Sequence, residues 1–128
     1  MQDSAAVKIA LVHIDAWSRH NWEKARELLA PNIRVVAITS RPTLTVEEFT
    51  GVGSYMERLM KSVQLIEPGS VNVVSAVGDE SKALILETFR IGLGPGGTMV
   101  TMARASLYLL DENKKIKEEG VEFSILSQ

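Results

Sequence analysis

The stretch from about Val71 to Leu126 constrains this chain most, because it reads as four successive β-strands joined by turns. β-Branched and apolar residues dominate it, and such side chains suit a pleated, half-buried surface. The strands are expected at about Val71–Ala76, Lys82–Ile91, Thr98–Leu110 and Ile116–Leu126. Between them stand Gly78-Asp79-Glu80-Ser81, Gly92–Gly97 and Asp111–Lys114, all rich in turn-forming residues. The run predicts an antiparallel meander, and its apolar face needs cover from the rest of the chain.

The preceding segment supplies that cover, mostly as helix. Asp3 or Ser4 can cap a first helix running to about His20, with Val7, Ala10, Leu11, Ile14 and Trp17 on one apolar face. Ile9, Val12 and Ala16 widen the face, which suggests burial on more than one side. Asn21 caps a short second helix, Trp22–Ala30, that Pro31 ends. Ile33–Thr39 is β-branched and predicts a strand, after which Arg41-Pro42 turns the chain. Thr45 with Glu48 has capping-box spacing. Gly51 and Gly53 place the start of the main third helix near Gly53, and it should run to about Ile66 with Tyr55, Leu59, Met60 and Val63 inward. Pro68-Gly69 stops it. The order α-α-β-α-β-β-β-β predicts a single α+β domain over residues 1–128. Helices would pack on the concave face of a curved antiparallel sheet, with a pocket between the layers.

Bulk properties exclude several functions. The 128 residues carry a net charge of −2 and no basic stripe, so neither nucleic acid nor an anionic membrane is an expected partner. No apolar run approaches the ~20 residues that span a bilayer. The N-terminus has an early Asp3 and no basic region, unlike a secretory signal. There is no cysteine, which removes disulfides and thiolate chemistry and fits a cytoplasmic location. Gly92, Gly94 and Gly97 match G-x-G-x-x-G, but a strand follows where a dinucleotide site needs a helix. His13 and His20 stand seven apart with only Asp15 nearby, so no metal is expected. No Walker motif or G-x-S-x-G elbow occurs, and no cofactor is expected.

Strand alternation sorts the side chains. Met102, Arg104, Ser106 and Tyr108 share one face, opposite Ala103, Ala105, Leu107 and Leu109. Ile85, Glu87, Phe89 and Ile91 share a face, opposite Leu84, Leu86, Thr88 and Arg90. Glu119, Val121 and Phe123 share a face on the last strand.

Three stretches give the chain a family likeness. They are Ala16–Val35 (helix, polar break, helix, strand), Gly51-Val52-Gly53-Ser54-Tyr55 opening the third helix, and Ala103–Phe123, a hairpin with an Asp-Glu-Asn turn. Together they resemble the nuclear transport factor 2-like, or SnoaL-like, superfamily of cone-shaped, cystatin-like α+β domains. That superfamily includes ketosteroid isomerase, limonene epoxide hydrolase, scytalone dehydratase, polyketide cyclases and non-catalytic binding modules, so function must be argued from the site.

The resemblance implies that Glu87, Arg104 and Glu119 lie on the concave side of three neighbouring strands. A guanidinium between two carboxylates can orient both, or leave one to act as general base. Limonene epoxide hydrolase uses an acid–arginine–acid set in that way; the structural alternative is a salt-bridge network. His13 falls where ketosteroid isomerases carry an oxyanion-binding Tyr, and Ser106 near their protonated acid. Their general-base Asp corresponds to a position near Ala37, which argues against steroid-type isomerisation. His13 could donate to a ligand oxygen or transfer protons, or simply bond to backbone. Trp17, Trp22, Tyr55, Phe89, Tyr108 and Phe123, with Met102, are candidates to line a pocket for a small apolar molecule. Leu84, Leu86, Leu107 and Leu109 would leave the outer sheet face apolar and predict a homodimer there. Two functions remain open: a cofactor-free isomerase, cyclase or epoxide-hydrolase-like enzyme, or a non-catalytic ligand-binding or dimerisation domain.

Overall fold

The computed structural model describes residues 4–39, 44–93 and 95–127. Asp3, the Arg41-Pro42 turn and Gly94 of the glycine-rich turn lie outside them. The described residues form helices α1 (Ala5–Ser18), α2 (Trp22–Glu27) and α3 (Val52–Val63). The strands are β1 (Leu29–Thr39), β2 (Thr45–Thr50), β3 (Asn72–Gly78), β4 (Lys82–Ile91), β5 (Val100–Leu110) and β6 (Ile116–Ser127). They make one six-stranded sheet in the order β2-β1-β6-β5-β4-β3. β1 runs parallel to β6, while the other neighbouring pairs are antiparallel. The sheet is therefore mixed, a correction to the all-antiparallel expectation. Alternation reveals which way a side chain faces, but not which distant strand lies alongside.

A second correction concerns Thr45 and Glu48, which form no capping box. Thr45–Thr50 is the edge strand β2, with Phe49 opposite Val35 and Glu47 opposite Ala37. Pairing here gives one side of β1 a neighbour, and that long-range gain overrides the local helix-start signal. β1 itself begins at Leu29. Pro31 falls in the irregular stretch between Leu29 and Arg34, where the register with β6 shifts and a missing N–H is tolerated.

Local chemistry sets the other boundaries. Ser4 occupies the N-cap of α1 without a side-chain cap bond. The Asn21 side chain does cap α2, accepting the Lys24 backbone N–H at 3.2 Å. Gly51 precedes α3 with φ 102, a conformation that disfavours any side chain. Asp79 accepts the Ser81 and Lys82 backbone N–H groups at 2.9 and 3.0 Å, and Asp111 those of Asn113 and Lys115 at 2.8 and 3.0 Å. These Asp-centred turns join β3 to β4 and β5 to β6, and hairpin turns of this kind set register and hence face.

The inner face is the core. Ile85, Phe89 and Ile91 of β4 and Val100, Met102, Tyr108 and Leu110 of β5 are buried. Much of this core lies under α1, whose Val7, Ala10, Ile14 and Trp17 are buried in the same cluster as Ile85 and Tyr108. On the outer face Leu84, Leu86 and Leu107 remain 41–42% exposed. Among the described residues no helix is long and apolar enough to cross a membrane.

Candidate functional site

β6, β5 and β4 lie side by side, and each turns a charged residue inward. Glu87 on β4 is directly opposite Arg104 on β5. Glu119 on β6 is opposite Tyr108, four residues from Arg104 on the same face of β5. The long arginine side chain reaches both acids. Arg104 Nη1 donates to Glu87 Oε1. Its Nη2 donates to Glu119 Oε2 and to the Tyr108 hydroxyl, each at 3.3 Å. The guanidinium carbon also lies 5.5 Å from the centre of the Trp17 ring on α1.

Two helices complete the cluster. The Tyr55 hydroxyl on α3 donates to Glu119 Oε1 at 2.8 Å. His13 on α1 places Nε2 3.0 Å from that hydroxyl, and its Nδ1 donates to the Ala25 carbonyl at 3.1 Å. His13, Tyr55, Glu87, Arg104, Tyr108 and Glu119 are all buried.

Burial dominates the protonation states. It lowers the His13 pKa to about 3, with help from the Arg104 charge. It raises the Tyr55 phenol well above its ordinary value, and the Glu119 charge adds to that. It raises Glu87 as well, against the pull of Arg104. Glu87 Oε2 has no hydrogen-bond partner among the described residues, in keeping with a carboxyl poorly solvated as an anion. Burial opposes the Arg104 charge too, but Tyr108, Glu87 and Glu119 hold its pKa well above the ordinary arginine value. At neutral pH the cluster therefore holds a neutral imidazole, neutral phenols and a fixed cation.

A cavity of about 350 Å³ opens beside this cluster, a size suited to a small organic molecule. Val35, Phe89, Met102, Val121 and Phe123 give it an apolar wall. Its buried polar wall is Tyr55, Arg104 and Glu119. Its exposed rim includes Glu47 of β2 and Arg58 of α3, an ion pair at 2.7 Å, with the Arg58 guanidinium 4.1 Å from the centre of the Phe49 ring. Among the described residues no group of three or more His, Cys, Asp or Glu is arranged to hold a metal ion.

The profile of the SnoaL-like domain family matches residues 11–119, most of the chain. The chain belongs to the SnoaL-like domain family. No match is found among curated proteins. Solved structures of similar fold include a candidate ketosteroid isomerase from Kribbella flavida, 14% identical, covering 97% of this chain and 81% of its own, with a TM-score of 0.72. An LEH-like epoxide hydrolase from M. tuberculosis is 14% identical, with coverages of 94% and 83% and a TM-score of 0.69. A candidate SnoaL-like polyketide cyclase from Shewanella denitrificans is 14% identical, with coverages of 91% and 88% and a TM-score of 0.69. At these identities the likeness establishes the α+β fold, which is of the nuclear transport factor 2-like and cystatin-like kind.

Within this SnoaL-like domain the residues singled out in the sequence separate by position. Arg104 and Glu119 line the cavity, as do Trp17, Tyr55, Phe89, Met102 and Phe123. Glu87, His13, Ser106 and Tyr108 are buried outside its wall. Both ring nitrogens of His13 already face protein atoms, and the Ser106 hydroxyl donates to the Ile85 carbonyl at 3.4 Å. Trp22 stacks on His20 at 5.1 Å and is likewise outside the wall. Sequence reasoning missed Phe49 and Glu47 on β2 and Arg58 on α3. TVEEFT, Thr45–Thr50, offered no local signal for the first two, because its apolar Val46 and Phe49 stand three apart and break strand alternation.

Proposed function

We propose that this SnoaL-like domain binds a small, mostly apolar molecule in the cavity and moves a proton on it without a cofactor. The observation that carries this reading is a juxtaposition. A largely apolar wall is interrupted by one buried carboxylate, Glu119, held between a phenol and a guanidinium. Glu119 acts as the proton acceptor, towards the bound molecule or a water beside it. Arg104 orients it, Glu87 braces Arg104 from the far side, and Tyr55 presents a hydroxyl to the ligand. Isomerase, cyclase and epoxide-hydrolase chemistry are the reaction types to test first, since structurally similar proteins bear those names.

Non-catalytic binding is the second reading. It is favoured by the fact that both Glu119 oxygens already have partners within the protein. Incubation with a panel of small epoxides and enolisable cyclic ketones, followed by gas chromatography, separates the two. Turnover that falls about 10²-fold or more in Glu119→Gln supports the enzyme. Thermal stabilisation by panel members with no turnover of any establishes the binding module.

The outer sheet face is proposed as a homodimer interface. Leu84, Leu86 and Leu107 are exposed there, with half-buried Leu109 beside them. Light scattering should report a dimer that the double variant Leu86→Glu/Leu107→Glu converts to a monomer. A wild-type monomer at every concentration contradicts it.

A further inference from the structure

The line Ala25–His13–Tyr55–Glu119 is one hydrogen short. The Ala25 carbonyl can only accept, so His13 Nδ1 carries a hydrogen. The buried imidazole is neutral, which leaves Nε2 a bare acceptor. Glu119 Oε1 is the second acceptor at the Tyr55 hydroxyl, 2.8 Å away on one side against 3.0 Å to Nε2 on the other. A phenol has a single hydrogen, so it serves Glu119 or His13 but not both. Whichever is left out is a buried acceptor without a donor, which is unfavourable.

One added proton resolves the conflict. On Glu119 it becomes an O–H that donates to the Tyr55 oxygen. Tyr55 then swings its own hydrogen to His13 Nε2, and every contact in the line has one hydrogen. The proton comes from the bound molecule, where its bonding electron pair stays behind. No covalent bond of Tyr55 or His13 changes.

We propose that Tyr55 is a two-position hydrogen-bond switch thrown by arrival of a proton at Glu119, with His13 as the positioning residue that holds its second position. Tyr55 and Glu119 both line the cavity, whereas His13 reaches it only through Tyr55. The inference rests on Glu119 as the proton acceptor of the proposed function. The titratable and charged groups around the pair are His13 on α1, Glu87 on β4, Arg104 and Tyr108 on β5, and Glu47 on β2 with Arg58 on α3 at the rim. Glu87 is separated from Tyr55 by Arg104 and Glu119, so its own titration leaves the hydroxyl where it is.

The test is ¹⁵N NMR of the imidazole rings in the ligand-free protein as the pH is lowered from neutral until Glu119 takes up a proton. His13 should stay a neutral Nδ1–H ring while its Nε2 resonance moves upfield in one step. Glu87→Gln should keep that step and Tyr55→Phe should abolish it. Glu119→Gln, whose amide can donate to the Tyr55 oxygen, should show the shifted Nε2 position at every pH. A wild-type Nε2 resonance that never moves, or a step that survives in Tyr55→Phe, overturns the switch. Should Tyr55→Phe fail to fold, the wild type against Glu119→Gln still decides. Turnover assays report on Glu119 separately, so the switch can fail while the proton acceptor stands, and the reverse.

Discussion

The cavity wall contains the same chemical unit twice. At the exposed rim, Arg58 pairs with Glu47 and sits over the Phe49 ring. In the interior, Arg104 pairs with Glu87 and Glu119 and sits over the Trp17 ring. Both set an arginine against glutamate and over an aromatic ring, but the rim side chains are 47% and 55% exposed, against 7% and 5% for Arg104 and Glu119. Water screens the rim pair and can solvate either member alone. The interior cluster has no such substitute, so its groups depend on one another for hydrogen bonds and charge balance. Surroundings, more than residue identity, separate a surface ion pair from a candidate acid–base site.

The comparison breaks most visibly at the arginines. Arg104→Met leaves two buried carboxyls without their cation and is expected to cost about 3–5 kcal/mol, read by chemical denaturation at neutral pH. A loss below about 1 kcal/mol would mean the interior behaves like the rim.

The next effect is pH-dependent. The folded His13 refuses a proton that the unfolded chain accepts, so its contribution is intact above the ordinary 6.5 and is lost as pH falls towards about 3. Acidification to about pH 5 should cost about 2 kcal/mol from this residue. Glu87 works with the opposite sign. Its pKa is raised, so its stabilising contribution is present in acid and lost as pH rises through the raised value. Denaturation midpoints across pH should therefore lose their acid-side slope in His13→Gln and their opposing slope in Glu87→Gln. Parallel profiles for both variants would contradict the assignments.

The smallest effect belongs to Arg58→Ala. It should cost less than about 1 kcal/mol, and less still at high salt.

Much of the interior was legible in the sequence. Alternation in KALILETFRI and TMVTMARASLYLL puts Glu87 and Arg104 among residues that read as buried, and a charge on an apolar face is the kind of exception that marks a site. The rim was not legible. β2 exists because β1 offers it an edge, and Glu47 meets Arg58 across 11 residues of sequence only once that strand has formed. The parallel pairing of β1 with β6 was hidden for the same reason, since nothing local encodes a neighbour about 80 residues away. His13 shows the limit within one residue. Its place on a buried helix face could be read, but its bond to Tyr55, 42 positions on, depends on how α1 and α3 pack.

The most direct measurement is hydrogen–deuterium exchange at the α-carbon of a small cyclic ketone in heavy water, catalysed by wild type, Glu119→Gln and Arg58→Ala. Wild type should accelerate exchange above buffer, Glu119→Gln should lose about 10²-fold or more of that acceleration, and Arg58→Ala should stay within a few-fold of wild type. Equal rates for wild type and Glu119→Gln would contradict a proton acceptor in the interior of this cavity.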